Sequence, residues 1–269
     1  MRLVNAACDI LPSLPYDDML HNVCYAISKC YKASVPDTRE GREAFIHKRM
    51  ESKHMSVIEH VGFTASFVVN RGITHEMVRH RLASYTQEST RYCNYGRDRF
   101  DNSVCFVMPP QVSKMLPEGT YKGEYLPSGL RQVTMWPIKI DGDLEVCGKP
   151  FVVTDPWVCL WLRSMLQAEE NYMEGVSTAV GDSNTTCDKP LMAPEFARDM
   201  LTHAVKAEIV WTANMLEWQH IFNLRAKGTT GKPHPYMEAI MLQLLTKAKE
   251  RFPIFFESFH FWEELLQKD

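Results

Sequence analysis

The stretch from Met77 to Tyr95, MVRHRLASYTQESTRYCNY, gathers Arg79, His80, Arg81 and Arg91 with the hydroxyls of Ser84, Ser89 and Thr90. An arginine offers a planar fork that grips phosphate oxygens in two places, and hydroxyls and backbone amides beside it complete a cradle. These residue types at this spacing favour the holding of a compact phosphate. Glu76 and Glu88 lie in the same neighbourhood and would repel a continuous nucleic-acid backbone. An RHR triplet by itself is also what a solvated helix end looks like. Apolar Met77, Val78, Leu82 and Ala83 are expected to tie this one to the core.

Other candidates carry less. In KHMSVIEH, His54 and His60 flank Ser56, with Glu59 beside the second histidine. A metal site needs three or four converging ligands, and with neither an HExxH pattern nor a Cys/His set, structural histidines and no metal are expected. GTTGK at 228–232 lacks the spacing of a phosphate loop, and no GxGxxG occurs, so a dinucleotide would not be held in the Rossmann manner. Ser84 and Ser89 have no histidine and acid at triad spacing and are read as donors rather than nucleophiles. Arg198 and Arg225 sit in apolar helical contexts, where a lone arginine usually snorkels to the surface unless a partner holds it.

The elements that must position these residues follow from periodicity. Met19, Val23, Ile27 and Tyr31 predict a helix within 16–34, and a second is expected over 38–53. GFTASFVVN at 62–70 alternates as a strand. Gly72 is expected to break it, and a helix from Ile73 places RHR at its C-terminal end, where the dipole favours cations. SVCFVMPP predicts a short strand closed by prolines, residues 111–132 a loop, and Asp141-Gly142 a hairpin turn. Helices are expected from Trp157 to about Glu174 and over APEFARDMLTHAVK. AEIVWTA is expected as a strand and NMLEWQHIFNLRA as a helix; a long helix should run from Pro235 to Arg251, and another start near Pro253. The mixture is α/β or α+β, a mixed sheet flanked by helices.

The chain has 269 residues, and 30 Lys+Arg against 33 Asp+Glu give a formal charge of −3, which supplies no global field for a polyanion. Its eight cysteines form no CxxC pair, which argues against a zinc knuckle or a secreted disulfide framework. The opening residues lack the basic head and apolar run of a signal peptide, and no window approaches a membrane span. A cytoplasmic protein without membrane or nucleic-acid partners is expected.

RHRLASYTQESTR, from Arg79 to Arg91, resembles the RHRxxSxxxxSxR signature of flavin-dependent thymidylate synthases, matching at Arg79, His80, Arg81, Ser84, Ser89 and Arg91. HMSVIEHVGF and ARDMLTHAVKAEIVWTAN…FNLR are similar to two further blocks of that family, so the resemblance covers roughly 16–108 and 190–262. It implies the family's fold as one domain over 1–269, with an extended central insertion at about 109–189. It also implies a homotetramer with active sites at subunit contacts, FAD as cofactor, NADPH as reductant, methylenetetrahydrofolate as carbon donor, and conversion of dUMP to dTMP. Carried over by position, the flavin contacts are Ser56, Arg79, His80, Arg81, Gln87, Asn214 and His220. The nucleotide contacts are Glu76, Arg79, Gln87, Glu88, Ser89, Thr90, Arg91, Arg198 and Arg225, with Arg225 the catalytic cation. The chain differs from the family pattern at Glu76, Gln87, Thr202 and Leu216.

Two other classes use the same residues. A nucleotide or nucleic-acid binding module without catalysis would employ the arginines for phosphate alone. A metal-dependent hydrolase would be built from His54, His60, His75 and His80.

Overall fold

In the computed structural model, β1 (Arg2–Val4) and β2 (Ala7–Ile10) precede helices α1 (Tyr16–Tyr31) and α2 (Arg39–Glu51). A 3-10 turn over Met55–His60 leads into β3 (Gly62–Asn70), α3 (Arg71–Met77) and β4 (Ala83–Gln87), followed by β5 (Cys105–Val107) and α4 (Pro110–Met115). Two antiparallel pairs come next: β6 (Lys122–Tyr125) with β7 (Arg131–Thr134), and β8 (Asp143–Val146) with β9 (Lys149–Val152). The remainder comprises α5 (Pro156–Gly181), α6 (Ala193–Ala197), β10 (Lys206–Asn214), α7 (Met215–Arg225), α8 (Pro235–Arg251) and α9 (Pro253–Phe256). The structure describes residues 1–115, 122–125, 131–134, 143–146, 149–152, 155–181 and 193–257. A four-stranded sheet has the order β2-β3-β10-β4, and β1 pairs with β5 in parallel, Leu3 opposite Phe106. This is a mixed α+β architecture.

The chain divides into two compact units. The first comprises Met1–Ala7, Val68–Met77 and Gln87–Ile209; the second comprises Cys8–Phe67, Val78–Thr86 and the chain from Val210 onward. In the first unit, Val158, Leu162, Met165, Tyr172 and Val176 recur at helical spacing along α5 and pack with Leu3, Tyr95, Phe106 and Val205. The Glu169 carboxylate on the same helix accepts from Val104 N at 2.8 Å and from the Ser103 hydroxyl at 3.1 Å, which satisfies the chain entering β5.

The second unit is organised around stacked aromatic rings. Phe63 of β3 lies 4.5 Å from Trp218 of α7 at an interplanar angle of 6°, with Phe252 5.3 Å from the same phenyl ring. The Trp218 indole N–H donates to the Phe63 carbonyl at 3.1 Å. Each such fully buried ring contributes roughly 2–3 kcal/mol by area alone. Gly62 opens β3 because a Cβ there would come within 2.3 Å of the Ala213 carbonyl oxygen, which no side chain tolerates. The α8 stripe of Met237, Ile240, Met241, Leu244, Leu245 and Ala248 is buried as its period requires, and Pro235 stands at the helix start.

Several local expectations are corrected. Gly72 does not separate strand from helix: α3 begins at Arg71, one residue after β3, with Asn70 Oδ1 accepting from Ile73 N at 2.8 Å as a cap. That helix ends at Met77, so RHR follows it rather than forming its last turn, and Val78 and Leu82 are exposed, Leu82 by 75%, instead of anchoring the arginines. Residues 111–132 contain α4 and the β6–β7 pair, not only loop; Pro110 opens a helix where it was expected to close a strand. The expected turn at Asp141-Gly142 and nearly all of the segment before it lie outside the described residues, while the segment after it, β8, pairs with β9. APEFARDMLTHAVK is helical only to Ala197. A 3-10 turn over Arg198–Met200 then tightens through Leu201 N to the Arg198 carbonyl. The α5 helix runs past Glu174 to Gly181. The sequence GDSNTTCDKP at 181–190 predicts a loop, which beyond Gly181 lies outside the described residues.

Candidate functional site

In the second unit, α7 is set by its cap. Asn214, expected to meet the flavin, is the N-cap residue, and its side-chain oxygen accepts from Glu217 N at 2.8 Å. The helix thereby presents Glu217, His220 and Arg225. Side chains on a helix lean toward its N-terminus, and Arg225, in the last turn, hydrogen-bonds His80, its Nε donating to His80 Nε2 at 3.1 Å. This bond joins the signature to a residue 145 positions away. His80 is buried, its ring 5.5 Å from that of Trp211 and 6.2 Å from that of His220, and its backbone carbonyl accepts from the Tyr85 hydroxyl at 2.7 Å. Burial first, then the positive charge of Arg225 and the proximity of His220, hold the His80 imidazole down to about 4. It is neutral at pH 7, as an acceptor from arginine must be.

That depression makes a prediction. A histidine whose folded value lies below its unfolded 6.5 contributes stability that is present above about pH 6.5 and lost as the pH falls toward 4, because the unfolded chain then binds the extra proton. The full effect is of order 3 kcal/mol at about 1.4 per unit. Urea midpoints of the wild type should fall between pH 6.5 and 4.5 more steeply than those of His80→Gln. Equal slopes would show that His80 is not held neutral by the fold.

The remaining expected residues of this unit, Ser56, Arg79, Arg81 and His220, are all exposed, Ser56 on the 3-10 turn after α2. Among the described residues, Arg79 and Arg81 make no ion pair. Exposed guanidinium groups, a hydroxyl and an imidazole are donors of the kind that an anionic dinucleotide such as FAD takes. His54 bonds Tyr31 through Nδ1 at 2.5 Å. A cavity of about 470 Å³ lies elsewhere in the unit, lined by His47, Lys53, Asn223 and Glu257 among others, and includes none of the expected site residues.

In the first unit, the loop that follows β4 is pinned by Glu88. Its carboxylate accepts from the Tyr95 hydroxyl at 2.8 Å and from Glu208 N at 3.2 Å, and pairs with Lys206 Nζ at 2.9 Å. Its backbone N–H donates to the Glu208 carbonyl at 2.8 Å and its carbonyl accepts from Arg71. Gln87 donates to the Thr74 hydroxyl on α3, the helix that also carries Glu76. The Ser89 carbonyl accepts from Tyr92 N and Cys93 N, which turns the loop, and Thr90 is buried. Arg91 is exposed and pairs with Glu195 of α6 at 2.7 Å; α6 runs into the 3-10 turn that carries Arg198.

Sequence reasoning missed Glu217, Lys206 and Tyr95. Asn214 followed three residues later by Glu217 is a capping-box spacing and could have singled out that glutamate. Nothing in the sequence marks Lys206, whose partner Glu88 comes from a distant segment, or Tyr95, which meets Glu88 across the turn of the loop.

Comparison with known proteins adds to this geometry. Residues 15–254 match the family described as thymidylate synthase complementing protein. A flavin-dependent thymidylate synthase of Nitratidesulfovibrio vulgaris is 46% identical over 77 residues, 28% of this chain and 29% of that one. One of Pyrococcus abyssi is 28% identical over 202 residues, 75% of this chain and 61% of that one. The matched stretches thus span less than two thirds of these relatives. The crystal structure of a UMP/dUMP methylase PolB from Streptomyces cacaoi bound with 5-Br dUMP shares the fold, with a TM-score of 0.65 at 19% identity over 96% of this chain and 97% of that one. No helix among the described residues is long and apolar enough to cross a membrane.

Proposed function

Since this chain belongs to the thymidylate synthase complementing protein family, we propose that it is a flavin-dependent thymidylate synthase, converting dUMP to dTMP with methylenetetrahydrofolate as carbon donor and NADPH as reductant. The observation that carries the reading is the Arg225–His80 bond, which joins the C-terminal cation to the signature through a neutral imidazole. Attack of uracil C5 on a one-carbon unit requires electron density in the ring, and a fixed cation stabilises the ring as an anion. Arginine stays protonated at any working pH, so Arg225 acts electrostatically and not as a base.

The exposed Arg79, Arg81, Ser56 and His220 would hold FAD, which supplies the hydride chemistry when bound, while His80, Asn214 and Gln87, whose side chains are engaged within the protein, would shape its site. Glu76, Arg79, Ser89, Thr90, Arg91, Arg198 and Arg225 would meet dUMP, with Arg91 exchanging Glu195 for phosphate. Gln87 and Glu88 would serve the nucleotide by holding the loop that presents it, since their side chains are engaged with Thr74, Tyr95 and Lys206. The exposed Val78 and Leu82 beside the signature suit a subunit contact in the homotetramer that the family reading entails. The setting is cytoplasmic, and residues 1–269 act as one functional domain, with 109–189 as its extended central segment.

Purified protein should be yellow, bleach on addition of NADPH, and form dTMP when dUMP and methylenetetrahydrofolate are supplied. A colourless preparation that takes up no added FAD would defeat the reading.

A further inference from the structure

Asn214 and Glu217 occupy the N-cap and N3 positions of α7, the spacing at which a glutamate ordinarily turns back to the N-cap amide. Here the carboxylate faces the signature histidine instead, with Oε1 3.7 Å from His80 Nδ1. Both side chains are closed to solvent, 5% and 8% exposed. A neutral imidazole carries one N–H. Arg225 donates to Nε2, so the proton must sit on Nδ1, the nitrogen that faces Glu217. At 3.7 Å the contact is longer than a hydrogen bond. It is nonetheless an acceptor placed at the one ring atom that needs one, in surroundings of low polarisability where such placement weighs heavily.

Among the described residues, the other groups around the ring do not supply this acceptor. Arg225 and His220 come from α7, the first as a donor to Nε2 and the second with its ring 6.2 Å away. Tyr85 of β4 donates to the backbone carbonyl of His80. Trp211 of β10 stacks obliquely, and its buried indole N–H, without a hydrogen-bond partner among the described residues, is a donor only. Burial raises the Glu217 carboxyl above its ordinary range, with His220 opposing, which is the cost of keeping a carboxylate where a surface cap would have had none.

We propose that Glu217 is a positioning residue: by holding the His80 ring in its Nδ1–H form it keeps Nε2 an acceptor for Arg225, and so fixes the guanidinium on which the proposed reaction depends. The proposal rests on the thymidylate synthase reading for its turnover consequence only; the state of the ring can be read without any substrate.

The test is long-range proton–nitrogen correlation NMR on the full protein labelled with 15N-histidine, as wild type, Glu217→Leu and Glu217→Gln. The wild-type His80 ring should be a neutral Nδ1–H tautomer at pH 7. Leucine removes the acceptor at similar volume, and the ring should leave that tautomer; dTMP formation should fall about tenfold in kcat with KM for dUMP changed less than about threefold, as expected when orientation and not binding is lost. Glutamine retains an amide oxygen, so it should restore the tautomer and part of the kcat. A capping role alone would lower thermal stability and leave the ring as in wild type, which would overturn the proposal. So would a wild-type ring protonated on Nε2, an outcome that decides the matter even if the leucine variant does not fold. If the ring responds as expected but the wild-type protein makes no dTMP, the functional reading fails and the positioning of His80 stands.

Discussion

Arg225→Ala should lower dTMP formation by about 10²–10³-fold, the loss seen when one preorganised group that stabilises developing charge is removed, while FAD content changes little. The physical basis is that Arg225 is half-buried at the end of α7 and bonded through Nε to a neutral His80. A cation held in this way needs no reorganisation when negative charge develops on the pyrimidine. Arg225→Lys should recover little of the loss, because an ammonium is a point charge on a flexible stem and lacks an Nε to give to His80 while presenting its charge elsewhere. The measurement is kcat and KM for dUMP beside the flavin absorbance of each purified variant. Turnover preserved in Arg225→Ala would remove this residue from the chemistry.

Glu88→Ala should cost about 3 kcal/mol of stability, the low end of the range for breaking a buried ion pair. Glu88 and Lys206 are 12% and 11% exposed at their side chains, so removing the carboxylate leaves a nearly buried ammonium with Glu208, 2.7 Å away, as its one ion-pair partner among the described residues. The Tyr95 hydroxyl and Glu208 N–H lose their acceptor as well. Burial would lower the Lys206 ammonium, but Glu88 and Glu208 outweigh it and the group is raised above its ordinary 10.5. A raised lysine contributes stability that is complete below about pH 10.5 and lost only as the pH rises further, so the pair is fully formed at pH 7. Urea midpoints of Glu88→Ala, Lys206→Met and Glu88→Ala/Lys206→Met should show the double variant more stable than the sum of the single losses. Because Glu88 also holds the Ser89–Arg91 turn, dUMP affinity should weaken about tenfold in Glu88→Ala as preorganisation is lost. Additive stabilities across the cycle would mean the pair is not coupled.

The site differs in how far it can be read from each of its parts. The arginines, hydroxyls and His80 of the signature were visible as residue types at a spacing, and the alternation of 62–70 and the Asn214 and Pro235 boundaries were visible as period and cap. The strand Ala83–Gln87 inside the signature was not, since its alternation sets half-buried against exposed residues and contains no apolar run. The exposure of Val78 and Leu82 was hidden for a related reason: an apolar side chain predicts burial without saying against what.

By itself, then, the sequence determined which residues could bind an anion, where most helices and the two long strands lie, and the kinship that gives them meaning. These are properties of neighbours along the chain, written in periods of two and 3.6 and in caps of a few residues. Tertiary structure alone decided that Arg225 donates to His80, that Glu217 leaves its helix cap to face the same ring, and that Glu88 is bound by Lys206 and Tyr95 rather than left for a ligand. Each of those outcomes depends on the order in which β3, β10 and β4 pair, and strand order is fixed by the packing of distant segments, for which no local pattern exists.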